Sequence, residues 1–417
     1  MYERLVAYCG KGISVSRLGG SRAGEMRIGR FLHNPKVTLG EMIATARGRA
    51  LAQAAGRHAL AIQDTSSLRV GEKGDGLFLH PVIAVDAEKG TVFGLIDNFF
   101  LKREGGARET RKQRRFEEKD SRRWLSGAES ASALVEAGAT CVTAIEDREG
   151  DVYECFALKP ARVEKLVRAA QDRRLADGTS LFSKVDGWKE AGRMTLQLPA
   201  APGRAARSAE LSVSFGAVEI LRPTHRTGGE DLPLSVAVNL VVAREINPPD
   251  GEEPALWLLL TTHKVDDLAK ARRIIGFYRL RWTIEQVFRT MKTKGFDVEA
   301  LRQEPDGPLE KLVTAILIAA VQVMQLVAER EGQAQRPLDD VFDLDDQPIL
   351  ERVCQSLEGK TAKQKNPYLK GSLAYAAWVF ARLGGWTGYY GKPGPIVILR
   401  GITEFRAIRH AWSLLNV

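Results

Sequence analysis

The stretch HALAIQDTSS, His58–Ser67, decides the fold. Its apolar core, Ala59–Ile62, is too short for a helix, and an aspartate with small hydroxyl residues follows it. Such a run reads as a buried strand that delivers Asp64 at its end. A second stretch of the same make, TCVTAIEDREGD (Thr140–Asp151), ends its apolar run at Asp147. Between them lie GLFLHPVIAVD (Gly76–Asp86) and GTVFGLIDNFFL (Gly90–Leu101), two further strands across the turn-like AEKG. A helix is expected through SRRWLSGAESASALVEAG, Ser121–Gly138.

Short connections make the first three strands an antiparallel meander. The strand–helix–strand passage that follows favours a parallel addition to the sheet. Three meander strands, a helix and a fourth strand match the first half of a ribonuclease-H-like fold. In that order the first and fourth strands are neighbours, which brings Asp64 and Asp147 together.

The bulk numbers fit this picture. With 417 residues the chain exceeds one simple core. Its 61 Lys and Arg against 52 Asp and Glu leave +9, compatible with a polyanionic partner. The first fifty residues hold nine Lys or Arg (Arg4 to Arg49) against three acids, and a second basic run, LKREGGARETRKQRR, spans Leu101–Arg115. Cys9, Cys141, Cys155 and Cys354 have no paired spacing suited to zinc, and the six histidines do not combine with them. That pattern implies a reducing compartment and no structural metal built on thiolates. No signal-peptide pattern opens the chain, and the apolar run LVTAILIAAVQVMQLVA from Leu312 is expected to be a buried helix, not a membrane span. A cytoplasmic protein without a membrane partner is expected.

Past Asp172 the segments MTLQL, AELSVSF, AVEILRP and LSVAVNLVVAREI alternate apolar and polar residues, with Gly and Pro between them. This reads as a β-rich insertion bounded by NPPDGEEP. After ALWLLLTT, Ala255–Thr262, the chain turns helical, and AYAAWVFARLGGW near the end is a helix with a Gly-Gly stop.

One helical stretch, YRLRWTIEQVFRTMKTKG (Tyr278–Gly295), sets a single acid in a row of cations. At about 100° per residue, Tyr278, Arg281, Glu285, Arg289 and Lys292 form a narrow polar stripe beside Phe277, Leu280, Ile284, Val287, Phe288 and Met291. Local pairing of Glu285 with Arg281 and Arg289 explains such a stripe by itself. Two strand-end aspartates and one helix-borne glutamate are also what a two-metal phosphoryl-transfer site needs, because Mg²⁺ prefers carboxylate and water oxygens.

These motifs carry a resemblance. The spacing of Tyr278, Arg281, Glu285 and Lys292, with AIQDTSSL around Asp64 and DREGD from Asp147, resembles the cut-and-paste DDE transposases of insertion-sequence family four, the group of the transposon-five transposase. REINPPDGEEPALWLLLTT and ARLGGW are similar too. The resemblance implies Asp64, Asp147 and Glu285 as a catalytic triad holding two Mg²⁺ ions, with Mn²⁺ able to substitute. It implies cleavage at transposon ends, hairpin formation and strand transfer, on double-stranded DNA and as a homodimer. Tyr278, Arg281, Arg289, Lys292, Trp257 and Arg168 are implied as DNA contacts, the first two near a flipped base and Trp257 stacking there.

The fold class expected is α/β: a ribonuclease-H-like core with a β-rich insertion, a short helical N-terminal segment and a helical C-terminal tail. The divisions expected are 1–52 (a shortened basic DNA-binding segment), 53–172 (first half of the core), 173–257 (insertion), 258–365 (second half, with the Tyr278–Lys292 helix) and 366–417 (tail). RIGRFLHNPKVT, Arg27–Thr38, resembles the second half of the family's end-binding domain. Shortened termini leave a truncated, DNA-binding remnant as the alternative expectation.

Overall fold

Apolar runs bounded by turn chemistry become ten strands in the computed structural model, which describes residues 2–7, 13–69, 76–102, 114–198, 206–224, 231–292, 295–301 and 307–415. They are β1 (His58–Gln63), β2 (Ser66–Arg69), β3 (Gly76–Asp86), β4 (Val92–Lys102), β5 (Cys141–Glu146), β6 (Val163–Arg168), β7 (Gly192–Leu198), β8 (Arg207–Leu221), β9 (Ser235–Glu245) and β10 (Leu256–Thr261). The chain divides into two compact units. One comprises Met1–Ala55, Thr65–Arg103 and Trp282–Val417, and the other Gly56–Asp64 and Glu104–Arg281. Most of the basic run Leu101–Arg115, and Cys9, lie outside the described residues.

The second unit is a mixed α/β layer built on an open sheet in the order β1-β5-β6-β10-β9-β8-β7. β1, β5 and β6 run parallel; the remaining neighbours are antiparallel. Burial explains the parallel part. Ala59–Gln63 and Val142–Glu146 are buried throughout, as strands covered on both faces must be. Helices Arg122–Ser130 and Ser132–Glu136 precede β5, so the expected single helix is two short pieces. Tyr153, Val167, Leu240 and Leu260 meet in the core, which therefore runs from the parallel strands into the antiparallel ones.

The antiparallel strands correct two details. AELSVSF and AVEILRP are one fifteen-residue strand, β8. Gly216 between them is not a break: a Cβ there would come within 3.2 Å of the Trp188 ring, so glycine serves a close approach inside the strand. The strands also continue the main sheet, because β10 pairs with both β9 and β6.

HALAIQDTSS is likewise two strands, β1 and β2, with Asp64 and Thr65 between them. β2 belongs to the first unit, where β2, β3 and β4 form an antiparallel ribbon. Helix Leu39–Ala54 packs against β4 there. Gly94 permits it, since a Cβ would lie 3.0 Å from the Ala50 methyl. Helix Gly307–Glu329 extends beyond the apolar run to 23 residues, long and apolar enough to cross a membrane by length and composition, yet 72% of its apolar window is buried within the protein. Helix Leu373–Leu383 stops at Gly384 and Gly385 as the sequence implies. Gly384 and Gly401 bring it against helix Pro395–Leu415, where a Cβ would strike backbone carbonyls.

One further reading is overturned. The histidines do combine with a cysteine: His58, Cys141 and His263 place one ligand atom each within 4.8 Å of one another. No local spacing announces this, because parallel register, not sequence proximity, assembles them (His58 pairs with Cys141).

Candidate active site

Register builds the acidic pair. Ile62 pairs with Ile145 across β1 and β5, and Asp64 and Asp147 each lie two residues past that pair, just beyond the strands' C-terminal ends. Asp64 accepts from Arg281 Nη1 at 2.9 Å, with both side chains largely buried. Asp147 caps the short turn Arg148–Gly150, accepting from the Glu149 amide through Oδ1 at 2.8 Å. A cap uses one carboxylate oxygen, so capping and ion binding are compatible roles.

Directly behind the pair sits a buried polar network. Gln63 Nε2 donates to Glu146 Oε1 at 3.1 Å and to the Trp124 carbonyl at 3.1 Å. Lys165 of β6 forms an ion pair with Glu146 Oε2 and donates to the Gly150 carbonyl at 3.2 Å. Burial pushes the Glu146 carboxyl up to about 7, against the pull of Lys165. Space here is set by glycine: a Cβ on Gly150 would lie 2.2 Å from Glu146 Oε2, and one on Gly127 2.0 Å from Gln63 Oε1. A second buried pair, Arg173 with Asp151 at 2.6 Å, closes the loop after Asp147, and Asp151 also accepts from the Ala170 and Gln171 amides. Sequence reasoning missed this network. Its signal was available in the polar residue immediately before each strand-end acid.

Beside the acids stands a cationic and aromatic cluster. Tyr278 is buried and meets Trp257 edge-on, with ring centroids 5.3 Å apart. The Arg281 guanidinium lies 5.8 Å from the Tyr278 ring centroid. Arg168, at the end of β6, donates to the Leu256 carbonyl at 2.7 Å and hydrogen-bonds Tyr278. Burial, then the charge of Arg148, lowers the Arg168 pKa. Burial raises that of the Tyr278 phenol, while Arg281 and Arg168 oppose the rise. Arg148, exposed in the turn after Asp147, is thus a further cation of the cluster that the sequence did not single out. Asp64, Asp147, Tyr278, Arg281, Trp257 and Arg168 all belong to the second unit.

Glu285, Arg289 and Lys292 belong to the first unit. Ile284, Val287, Phe288 and Met291 are the buried face of helix Trp282–Met291, as expected; Glu285 is half-buried and Arg289 exposed. Lys292 lies just past its end, donating to the Ser67 carbonyl at 2.8 Å and facing Glu299 at 3.7 Å. The expected continuous helix is interrupted at Arg281, where the amide bonds back three residues to Tyr278 at 3.1 Å. That tighter turn means the uniform 100° step does not hold across Arg281.

In the second unit, strand-end carboxylates thus accompany arginines and an edge-on aromatic pair. Residues 79–321, more than half of the chain, match the family model of the transposase DDE domain, and the chain belongs to that family. It is a DDE transposase, a protein that acts on DNA. The matched span contains Asp147 and Glu285 and begins after Asp64.

Proposed function

We propose that this transposase works by cut-and-paste, as the members of insertion-sequence family four do, with a ribonuclease-H-like core. Asp64, Asp147 and Glu285 are its triad, and the β-rich strands position the DNA end. The observation that supports the reading is the parallel β1–β5 register, with Asp64 and Asp147 each two residues past its last pair and Arg281 bonded to Asp64.

The donor set fits divalent magnesium: these are hard carboxylate oxygens, with no soft ligand on the two strand ends. Two Mg²⁺ ions, or Mn²⁺ in their place, would supply an activated water and charge for the leaving oxygen. The chain's own residues do the rest. Arg281, Arg168 and Arg148 hold phosphate oxygens, and the guanidinium fork suits bidentate contacts. Tyr278 and Trp257 offer an aromatic platform for a base turned out of the stack, which eases the sharp bend of a hairpin. Lys292 and Arg289 contact the DNA backbone. A homodimer pairs two ends.

Incubation of the full chain with Mg²⁺ and a duplex carrying the ends of its own element tests this. Nicked, hairpin and strand-transfer products should appear in that order. Nicking without hairpins would reduce the reading to a nuclease, and no nicking at all would remove it.

A further inference from the structure

At the N-terminal ends of the same strands, away from the aspartates, we infer that His58, Cys141 and His263 form a binding site for a zinc-class transition-metal ion. β1 brings His58 opposite Cys141, and the segment following β10 supplies His263. One ligand atom from each lies within 4.8 Å of the others. Tetrahedral zinc with imidazole and thiolate ligands needs separations of about 3.5 Å, which small side-chain rotations supply. β1 has six residues, so at ~3.3 Å each this cluster is roughly 20 Å from Asp64, a different site with different chemistry.

The surroundings are already organised. Thr143 Oγ1 is at the centre, 2.8 Å from His58 Nε2 and 2.7 Å from His263 Nε2, and it also hydrogen-bonds the Cys141 thiol. All three prospective donors therefore converge on one point, which the hydroxyl holds. Phe277 walls one side, 4.9 Å from the His58 ring and 6.2 Å from that of His263. Asn239 fixes the His263 backbone through its carbonyl at 2.9 Å.

The charges nearby are mixed. Glu164, the cross-strand partner of Thr143, places a carboxylate beside the cluster, whereas Arg273 Nη2 lies 3.4 Å from His58 Nδ1 and opposes a cation. Two imidazoles and a thiolate select zinc, cobalt or copper(I) over magnesium. Three protein ligands leave a fourth position for water or Glu164. An ion there ties β1, β5 and the exit of β10 together.

Cobalt(II) titration of the reduced full chain tests the site, because thiolate coordination gives a charge-transfer band that carboxylates cannot. One equivalent should produce that band with tetrahedral visible transitions. Zn²⁺ should abolish it, and excess Mg²⁺ should leave it unchanged. Cys141→Ser should lose the band, and His263→Gln should lose it with the thiol intact. Zn²⁺ should also raise the melting temperature of the wild type in a concentration-dependent way, and not that of either variant. Absence of the band in folded wild type, or its persistence in Cys141→Ser, overturns the assignment. Should Cys141→Ser not fold, an undiminished band in His263→Gln does the same.

Discussion

Replacing Lys165 by methionine tests whether the aspartate-bearing strand ends rest on a buried ion pair. The Lys165 and Glu146 side chains are 2% and 1% exposed, and Gln63 also donates to the carboxylate, at 3.1 Å. Methionine fills the volume of the lysine stem but leaves Glu146 without its counter-charge. Removing one member of a buried pair costs about 3–5 kcal/mol. In a unit of this size that lowers the melting transition by roughly 6–20 °C. The proper condition is pH 8, since burial raises the Glu146 carboxyl to about 7. A carboxyl raised on folding contributes stability that is full below its unfolded value and is lost as pH rises towards the folded one. The variant should therefore be less impaired at pH 6. The double variant Lys165→Met/Glu146→Gln leaves no uncompensated charge and should recover more than half of the loss. Thermal melts of the full chain followed by circular dichroism measure both. A single variant melting within about 3 °C of wild type, or a double variant whose loss is the sum of the two singles, refutes the reasoning.

Other outcomes follow from the same geometry. Arg281→Ala removes a cation 2.9 Å from Asp64 and should tighten Mn²⁺ binding roughly tenfold while weakening DNA binding, as calorimetry and gel shift would record. Trp257→Ala should spare the first nick and slow hairpin formation by roughly 5- to 160-fold, from about 1–3 kcal/mol of lost base stacking; equal losses in both steps would contradict the platform role. Burial pushes the Cys155 thiol to about 12, so an aromatic disulfide reagent at pH 8 should not modify it until the protein unfolds. Rapid modification of Cys155 in the native chain, located by mass spectrometry, would argue against the packing described.

Legibility in the sequence followed the physics of each element. β1 and β5 were readable because strands buried on both faces are written as unbroken apolar runs, and their parallel register leaves Asp64 and Asp147 each two residues past the Ile62–Ile145 pair. The buried face of helix Trp282–Met291 was readable from periodicity alone. The interruption at Arg281 was not, since a single tightened turn changes no residue type. Gly216 looked like punctuation because a glycine demanded by a neighbouring indole has the same letter as one demanded by a turn. The Gln63, Glu146 and Lys165 network left as its signal only a polar residue before each strand-end acid, and the His58, Cys141 and His263 cluster left none, because each joins residues far apart in the chain. Only the register, unavailable until the sheet is known, makes them neighbours.

The most direct test of the central claim is iron-mediated backbone cleavage. Fe²⁺ bound in place of Mg²⁺, with ascorbate and peroxide, cuts the chain next to its ligands. Cuts should adjoin Asp64, Asp147 and Glu285, all suppressed by excess Mg²⁺ and all lost in Asp64→Asn/Asp147→Asn. Cuts at one aspartate without the other, or cuts that Mg²⁺ does not suppress, would contradict a shared metal site at these acids.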